Sequence, residues 1–158
     1  MRSQIVLAAV ASLAMASAAL AADRRVEAPI RTMIYAFNKG DVALAKSTHV
    51  MAPTILDEPT APFIWSGPTA FDDWIAALGK SEANAGKTGG KVVLGPITRA
   101  SVMGDSAYVV VPSTYTFQQA KRTMRETGTM TFALLKQSAD WKIRAWTWTS
   151  PKAVPVKD

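Results

Sequence analysis

At 158 residues, with a formal net charge of +6 and no cysteine, the chain has the length of one domain and lacks the residues for disulfides, thiol nucleophiles or cysteine-ligated metals. Its basic residues are scattered. Lys121, Arg122 and Arg125 make the one tight cluster, without interleaved aromatics, which argues against the continuous basic stripe of a nucleic-acid face.

Residues 1–21 read as an export address. Arg2 supplies the positive start, Ile5 to Leu20 is apolar and small, and Ala19-Leu20-Ala21 offers a small-x-small cleavage site. The apolar run falls short of the ~20 residues that cross a bilayer. A mature chain beginning near Ala22 is therefore expected, periplasmic or secreted, with no stable membrane insertion once the signal is removed.

From Asp23 to Asn38 the apolar residues Val26, Ile30, Met33, Ile34 and Phe37 recur at helical spacing and predict an amphipathic helix packed on a sheet. Gly40 fits the left-handed closing position, and Asp41 caps a second helix expected to reach Val50. Thr54 to Ser66 reads as extended or looped, broken by Pro59 and Pro62. Gly67-Pro68 starts a third helix, with Asp72 and Asp73 near its positive end. Lys80 to Gly90 is polar and glycine-bearing and reads as a mobile flap or a plain connection.

After Lys91 the period changes from 3.6 to 2. Lys91 to Met103 reads as a strand interrupted at Gly95-Pro96, Ala107 to Gln119 as the next, Arg125 to Lys136 as the third and Trp141 to Thr149 as the last. Strict alternation along the last strand sets Trp141, Ile143 and Ala145 on one face against Arg144, Trp146 and Trp148 on the other. The expected architecture is α+β, a cone in which a curved antiparallel sheet of about four long strands wraps three N-terminal helices. This domain is expected to span residues 22–150, with 151–158 a polar tail.

Four segments in this order, FNKGD at 37–41, LDEP at 56–59, WSGPTAFDDW at 65–74 and DWKIRAWTWTS at 140–150, resemble the nuclear-transport-factor-2-like superfamily and within it the SnoaL-like and ketosteroid-isomerase-like branch. The resemblance covers about Val26 to Ser150 and implies a cone fold that hosts isomerases, cyclases, dehydratases and non-enzymatic binders. It implies that a carboxylate just before a proline moves a proton beside a carbonyl; Glu58 meets that pattern, with Asp57 beside it. It also implies an oxyanion-holding tyrosine on the first helix, where Met33 stands, with Tyr35 two residues later. A second oxyanion donor, a protonated aspartate on a strand, has no counterpart in Ala107 to Lys136, where Glu126 is the sole acid.

Read from the residues themselves, Asp57 and Glu58 are consecutive, so in an extended segment only one faces a pocket. That one is a candidate general base, raised by an apolar wall; the alternative is two solvated acids before Pro59. His49, the sole histidine, is either a proton shuttle or a helix-end side chain bonded to a free carbonyl. Tyr115 is a candidate helper. Tyr35, Trp65, Tyr115, Trp146 and Trp148 are the candidate ligand-binding set, whereas Trp74, Phe117 and Trp141 read better as core. Metal-ligand spacings, nucleophile elbows and glycine-rich phosphate loops are missing, so neither metal nor cofactor is expected.

Three functions fit this pattern: a binder of a small apolar or aromatic molecule, a general acid/base enzyme with Glu58 or Asp57 as base, and a homodimeric interaction module with a filled cone.

Overall fold

A computed structural model describes residues 24–156; the proposed signal segment lies outside them. Helix α1 covers 24–39 and buries the expected stripe of Val26, Ile30, Met33 and Ile34. Gly40 closes it at φ +71°, where a side chain would be strained. Asp41 then caps helix α2, Val42–Ser47, accepting the Leu44 N–H at 2.9 Å. Asn38, at the last turn of α1, takes both backbone bonds of Val92, accepting its N–H at 2.8 Å and donating to its carbonyl at 2.7 Å. A side-chain amide thereby pins the helix end to the sheet edge.

The second helix stops before Val50. Strand β1 runs His49–Asp57 and pairs antiparallel with β2, Ile64–Ser66, and parallel with β7, Asp140–Thr149. Pro53 within β1 and Pro59 and Pro62 after it make this stretch look like loop in the sequence. Pro53 has no N–H for a ladder, but it falls in the interval between His49 and Thr54 where the β1–β7 register shifts, so the sheet tolerates it.

Helix α3, Ala70–Asn84, buries Ala70, Phe71 and Trp74. The stretch read as a flap or a connection is largely regular structure: α3 runs on to Asn84, and β3, Thr88–Leu94, takes up its last three residues. Strands β3 and β4, Arg99–Met103, both pair with β5, Ser106–Gln119, as one edge broken at Gly95–Pro96 as expected. Strand β6, Arg122–Gln137, pairs with β5 along its whole length, joined by Ala120 and Lys121 with positive φ. The Lys121 and Arg122 cluster caps this hairpin.

The sheet order is β2-β1-β7-β6-β5-β3, eight strands among the described residues, with β4 on β5 and β8, Val154–Pro155, on β6. The sheet is thus mixed and larger than the four antiparallel strands expected, and the expected tail contributes a short strand. Three helices sit against this curved, open sheet, as the cone requires.

One local feature changes the inward face. Between β6 and β7, Ala133 pairs with Ala145 but Leu134 with Ile143, leaving Arg144 as an extra residue, a β-bulge. The bulge shifts the alternation by one, so Trp141, Ile143, Trp146 and Trp148 all face inward and Arg144 faces solvent. The expected split, with Trp146 and Trp148 beside Arg144, is corrected accordingly.

Candidate active site

The interior of the cone holds a cavity of about 70 Å³, walled by Met33, Phe37, Trp74, Met130, Trp146 and Trp148. Its polar lining is Asp57, Glu82, Glu126, Lys87, Tyr115, Ser81 and Thr60. Drug-sized pockets run to about 300 Å³ and more. This one has the volume for a very small molecule or one end of a larger one.

Asp57 is the last residue of β1. Alternation along that strand buries Pro53, Ile55 and Asp57 and leaves Glu58 exposed, so Asp57 is the acid that enters the cavity. It is 4 % exposed, and its Oδ2 accepts the Trp74 indole N–H at 2.9 Å. Burial pushes its carboxyl up to about 6; the Trp74 bond opposes this, while the charges of Glu58, Glu126 and Glu82 add to it. Glu58 accepts the backbone N–H of Ser150 at 3.2 Å on the surface. The resemblance pointed to Glu58, and the strand's parity places its neighbour inside instead.

His49 opens β1 and does not line the cavity. Its Nδ1 lies 3.1 Å from the Ala45 carbonyl in the last turn of α2, and its ring packs against Phe71 at 4.9 Å. Burial lowers its pKa to about 4. It is the helix-end histidine, held neutral.

Tyr115 lines the cavity on β5 and donates its hydroxyl to Glu82 on α3. Burial raises it above the usual phenol range, and the bond and charge of Glu82 act in the same direction, so it stays protonated. Of the candidate ligand-binding set, Trp146 and Trp148 also line the cavity. Two members of that set lie elsewhere. Tyr35 is 60 % exposed, two residues past Met33 and on another side of α1, and Trp65 is buried in the core opposite Ile55.

Several cavity residues were not among the sequence candidates. Trp74 was assigned to the core, where it does pack against Phe37, Phe71 and Trp146, yet its N–H holds the acid. Glu126 lies four residues before Met130, so period 2 carries it to the same inward face. Glu82 and Lys87 came from the supposed flap; Lys87 Nζ stands 3.6 Å from Glu126 Oε1 and 4.3 Å over the Phe117 ring.

Among the described residues no three His, Asp or Glu side chains gather closely enough to hold a metal ion. A larger open depression of about 310 Å³ lies elsewhere, lined by Arg25, Pro29, Thr32, Ser47, Trp141 and Lys142 among others. It contains no buried acid.

No family model and no curated protein matches the chain in sequence. Solved structures do match in shape. A hexachlorocyclohexane dehydrochlorinase from Novosphingobium barchaimii aligns with a TM-score of 0.73 at 11 % identity, covering 87 % of this chain and 91 % of that one. A ketosteroid isomerase-like protein from Erwinia carotovora atroseptica aligns at 0.65 and 13 %, covering 82 % and 95 %. An NTF2-like protein with a cystatin-like fold from Novosphingobium aromaticivorans aligns at 0.66 and 17 %, covering 94 % and 90 %. The chain therefore has the nuclear-transport-factor-2-like cone fold. At these identities the likeness concerns fold, and the site has to be argued from its own residues.

Proposed function

We propose that the protein binds a small, largely apolar molecule in the cone cavity and moves a proton to or from one of its carbon atoms, with Asp57 as the base. One observation carries this reading. Asp57 is a buried carboxyl lining a tryptophan-walled cavity, and its one side-chain hydrogen-bond partner among the described residues is the Trp74 indole N–H. Such a group sits near the pH at which a carboxylate both takes and returns a proton.

The chemistry follows from that placement. The ionised Oδ atoms of Asp57 take a proton from a carbon next to a polarised group, and the electron pair left behind forms a double bond to the neighbouring atom. The proton then returns at another carbon, which is isomerisation, or, where the neighbouring carbon carries a leaving group, that group departs with the electron pair of its own bond as the double bond forms, which is elimination. The Trp74 N–H stabilises the ionised form and orients it. Removal of hydrogen chloride, named for the Novosphingobium barchaimii neighbour, belongs to this class of step. His49 and Glu58 take no part.

The test is proton exchange in heavy water. With small cyclic ketones as C–H acids, the protein is expected to speed deuterium incorporation, Asp57→Asn to lower it by about a hundredfold or more, and Glu58→Gln to leave it unchanged. Equal exchange by the protein and Asp57→Asn leaves binding alone as the function.

A second reading rests on the sheet edge, where Leu56, Phe63 and Ile64 are exposed side by side on β1, β2 and the turn between them. These exposed apolar side chains support the homodimer proposal, in which two copies meet at this edge, and sedimentation equilibrium with Ile64→Lys tests it. Export of the domain is likewise proposed, on the apolar segment before Ala22.

A further inference from the structure

Charge in the cavity is one-sided. Asp57, Glu82 and Glu126 line it, and among the lining residues Lys87 is the one cation, with its Nζ 3.6 Å from Glu126 Oε1. That pairing leaves Asp57 and Glu82 without a partner of opposite charge in the wall. The neighbouring charges that bear on Asp57, those of Glu58, Glu126 and Glu82, are all of its own sign. Carboxylates gathered in a half-dry enclosure are costly unless a counter-charge joins them.

Asp57 also has an oxygen to spare. The Trp74 N–H takes Oδ2, and Oδ1 has no hydrogen-bond partner among the described residues although the residue is only 4 % exposed. Trp146 Nε1 and Thr60 Oγ1 are unpartnered too, but they are sealed off, whereas Asp57 Oδ1 keeps open surface on a side chain that lines the cavity. The wall around it is aromatic, made by Phe37, Trp74, Trp146 and Trp148. The chain itself places an ammonium in such a setting: Lys87 Nζ lies beside Glu126 and 4.3 Å over the Phe117 ring.

We propose that the cavity seats a small organic cation, an alkylammonium head held at Asp57 Oδ1 and enclosed by the tryptophan rings, as the Lys87 ammonium is held between Glu126 and Phe117. Aromatic rings attract a cation through the negative charge of their π faces, and alkyl groups on its nitrogen bury apolar surface at the same time. Anions meet three carboxylates and are repelled. Hydrocarbons and neutral polar molecules fill the space yet leave Asp57 and Glu82 unneutralised. This inference rests on the cavity being the ligand site, narrows the ligand to one carrying a cationic nitrogen, and does not require Asp57 to take a proton.

A pair of isosteres tests the seat. Choline and 3,3-dimethylbutan-1-ol have the same shape and differ in a charged nitrogen against a carbon. By titration calorimetry at pH 8, where Asp57 is ionised, choline is expected to bind saturably and at least about tenfold more tightly than the alcohol. Asp57→Asn, which keeps the side chain's shape, should weaken choline by about tenfold or more and leave the alcohol within about twofold, which also reports an intact cavity. Glu82→Gln, which can still accept from Tyr115, should weaken choline alone by about threefold. Equal affinity for the two probes, or unchanged choline affinity in Asp57→Asn, overturns the seat. Binding of the alcohol with choline excluded overturns it as well and leaves the cavity a site for apolar ligands. If neither probe binds, the seat falls, and deuterium exchange dependent on Asp57 still decides the proposed function by itself. Choline binding without that exchange keeps the seat and removes the base.

Discussion

Trp74 on α3 donates its indole N–H to Asp57 at the end of β1, and this 2.9 Å bond joins the helical layer to the sheet at the floor of the cavity. It is also the contact that opposes burial in setting the acidity of Asp57. Trp74→Phe keeps most of the ring packing and deletes the donor. The Asp57 carboxyl should then titrate above about 6, and stability at neutral pH should fall by about 1.5–3 kcal/mol, the worth of a hydrogen bond to a charged group. Carbon-13 titration of the aspartate side chains reads the first, urea unfolding the second; a downward shift contradicts the assignment.

Asp57 also gives stability a pH dependence of predictable sign. Its folded pKa of about 6 exceeds the ordinary 3.8, so between these values the folded protein holds a proton that the unfolded chain has lost. The contribution is complete below 3.8 and is lost as pH rises through 6. Asp57→Asn, which can still accept from Trp74, should therefore match the parent protein near pH 4 and exceed it at pH 8 by about 1–3 kcal/mol. Urea midpoints at the two pH values decide it, and a variant less stable at pH 8 refutes it.

His49 has the opposite slope. Its folded pKa of about 4 lies below the ordinary 6.5, so its contribution is complete above 6.5 and is lost as pH falls through 4. Across the shared interval the two residues offset one another, and the parent protein should show a flat stability profile. His49→Gln should unmask the fall with rising pH due to Asp57, and Asp57→Asn the rise due to His49. Steep profiles of one sign in both variants would contradict this pairing.

Two glycines should respond with opposite signs. A Cβ at Gly90 would collide with the Tyr115 hydroxyl, which donates to Glu82. Gly90→Ala should displace that ring and destabilise the fold by about 1–3 kcal/mol. Gly79, exposed in α3 with open space around it, should accept alanine with a gain of about 0.5–1 kcal/mol. Thermal unfolding of the two single variants reads both signs at once.

The proposed export predicts a particular mass. When the full chain is expressed in a bacterium with a periplasm, the processed protein should be recovered from that compartment with its N-terminus near Ala22. Intact mass spectrometry of the periplasmic fraction checks this, and an uncut chain confined to the cytoplasm contradicts it.

Local periodicity alone carried a large part of this structure. The stripe from Val26 to Phe37, the Gly40-Asp41 corner and the strand segments after Lys91 were legible, because helix and strand bury residues at fixed spacings that any uninterrupted segment displays. Period 2 sets Glu126 on the same face as Met130 and Phe132, though an acid among core positions goes unnoticed without a cavity to receive it.

What the tertiary structure alone decided were parities and meetings. The bulge at Arg144 reverses the alternation of β7 and turns Trp146 and Trp148 inward, and a bulge is an inserted residue that only the partner strand reveals. Strand β1 exists because it pairs with β7, some ninety residues away in the chain, and that pairing is what selects Asp57 over Glu58. The cavity itself gathers Asp57, Glu82, Glu126 and Trp146 from β1, α3, β6 and β7. Sequence determines which way each side chain leaves its own segment; packing of distant segments determines what it meets there.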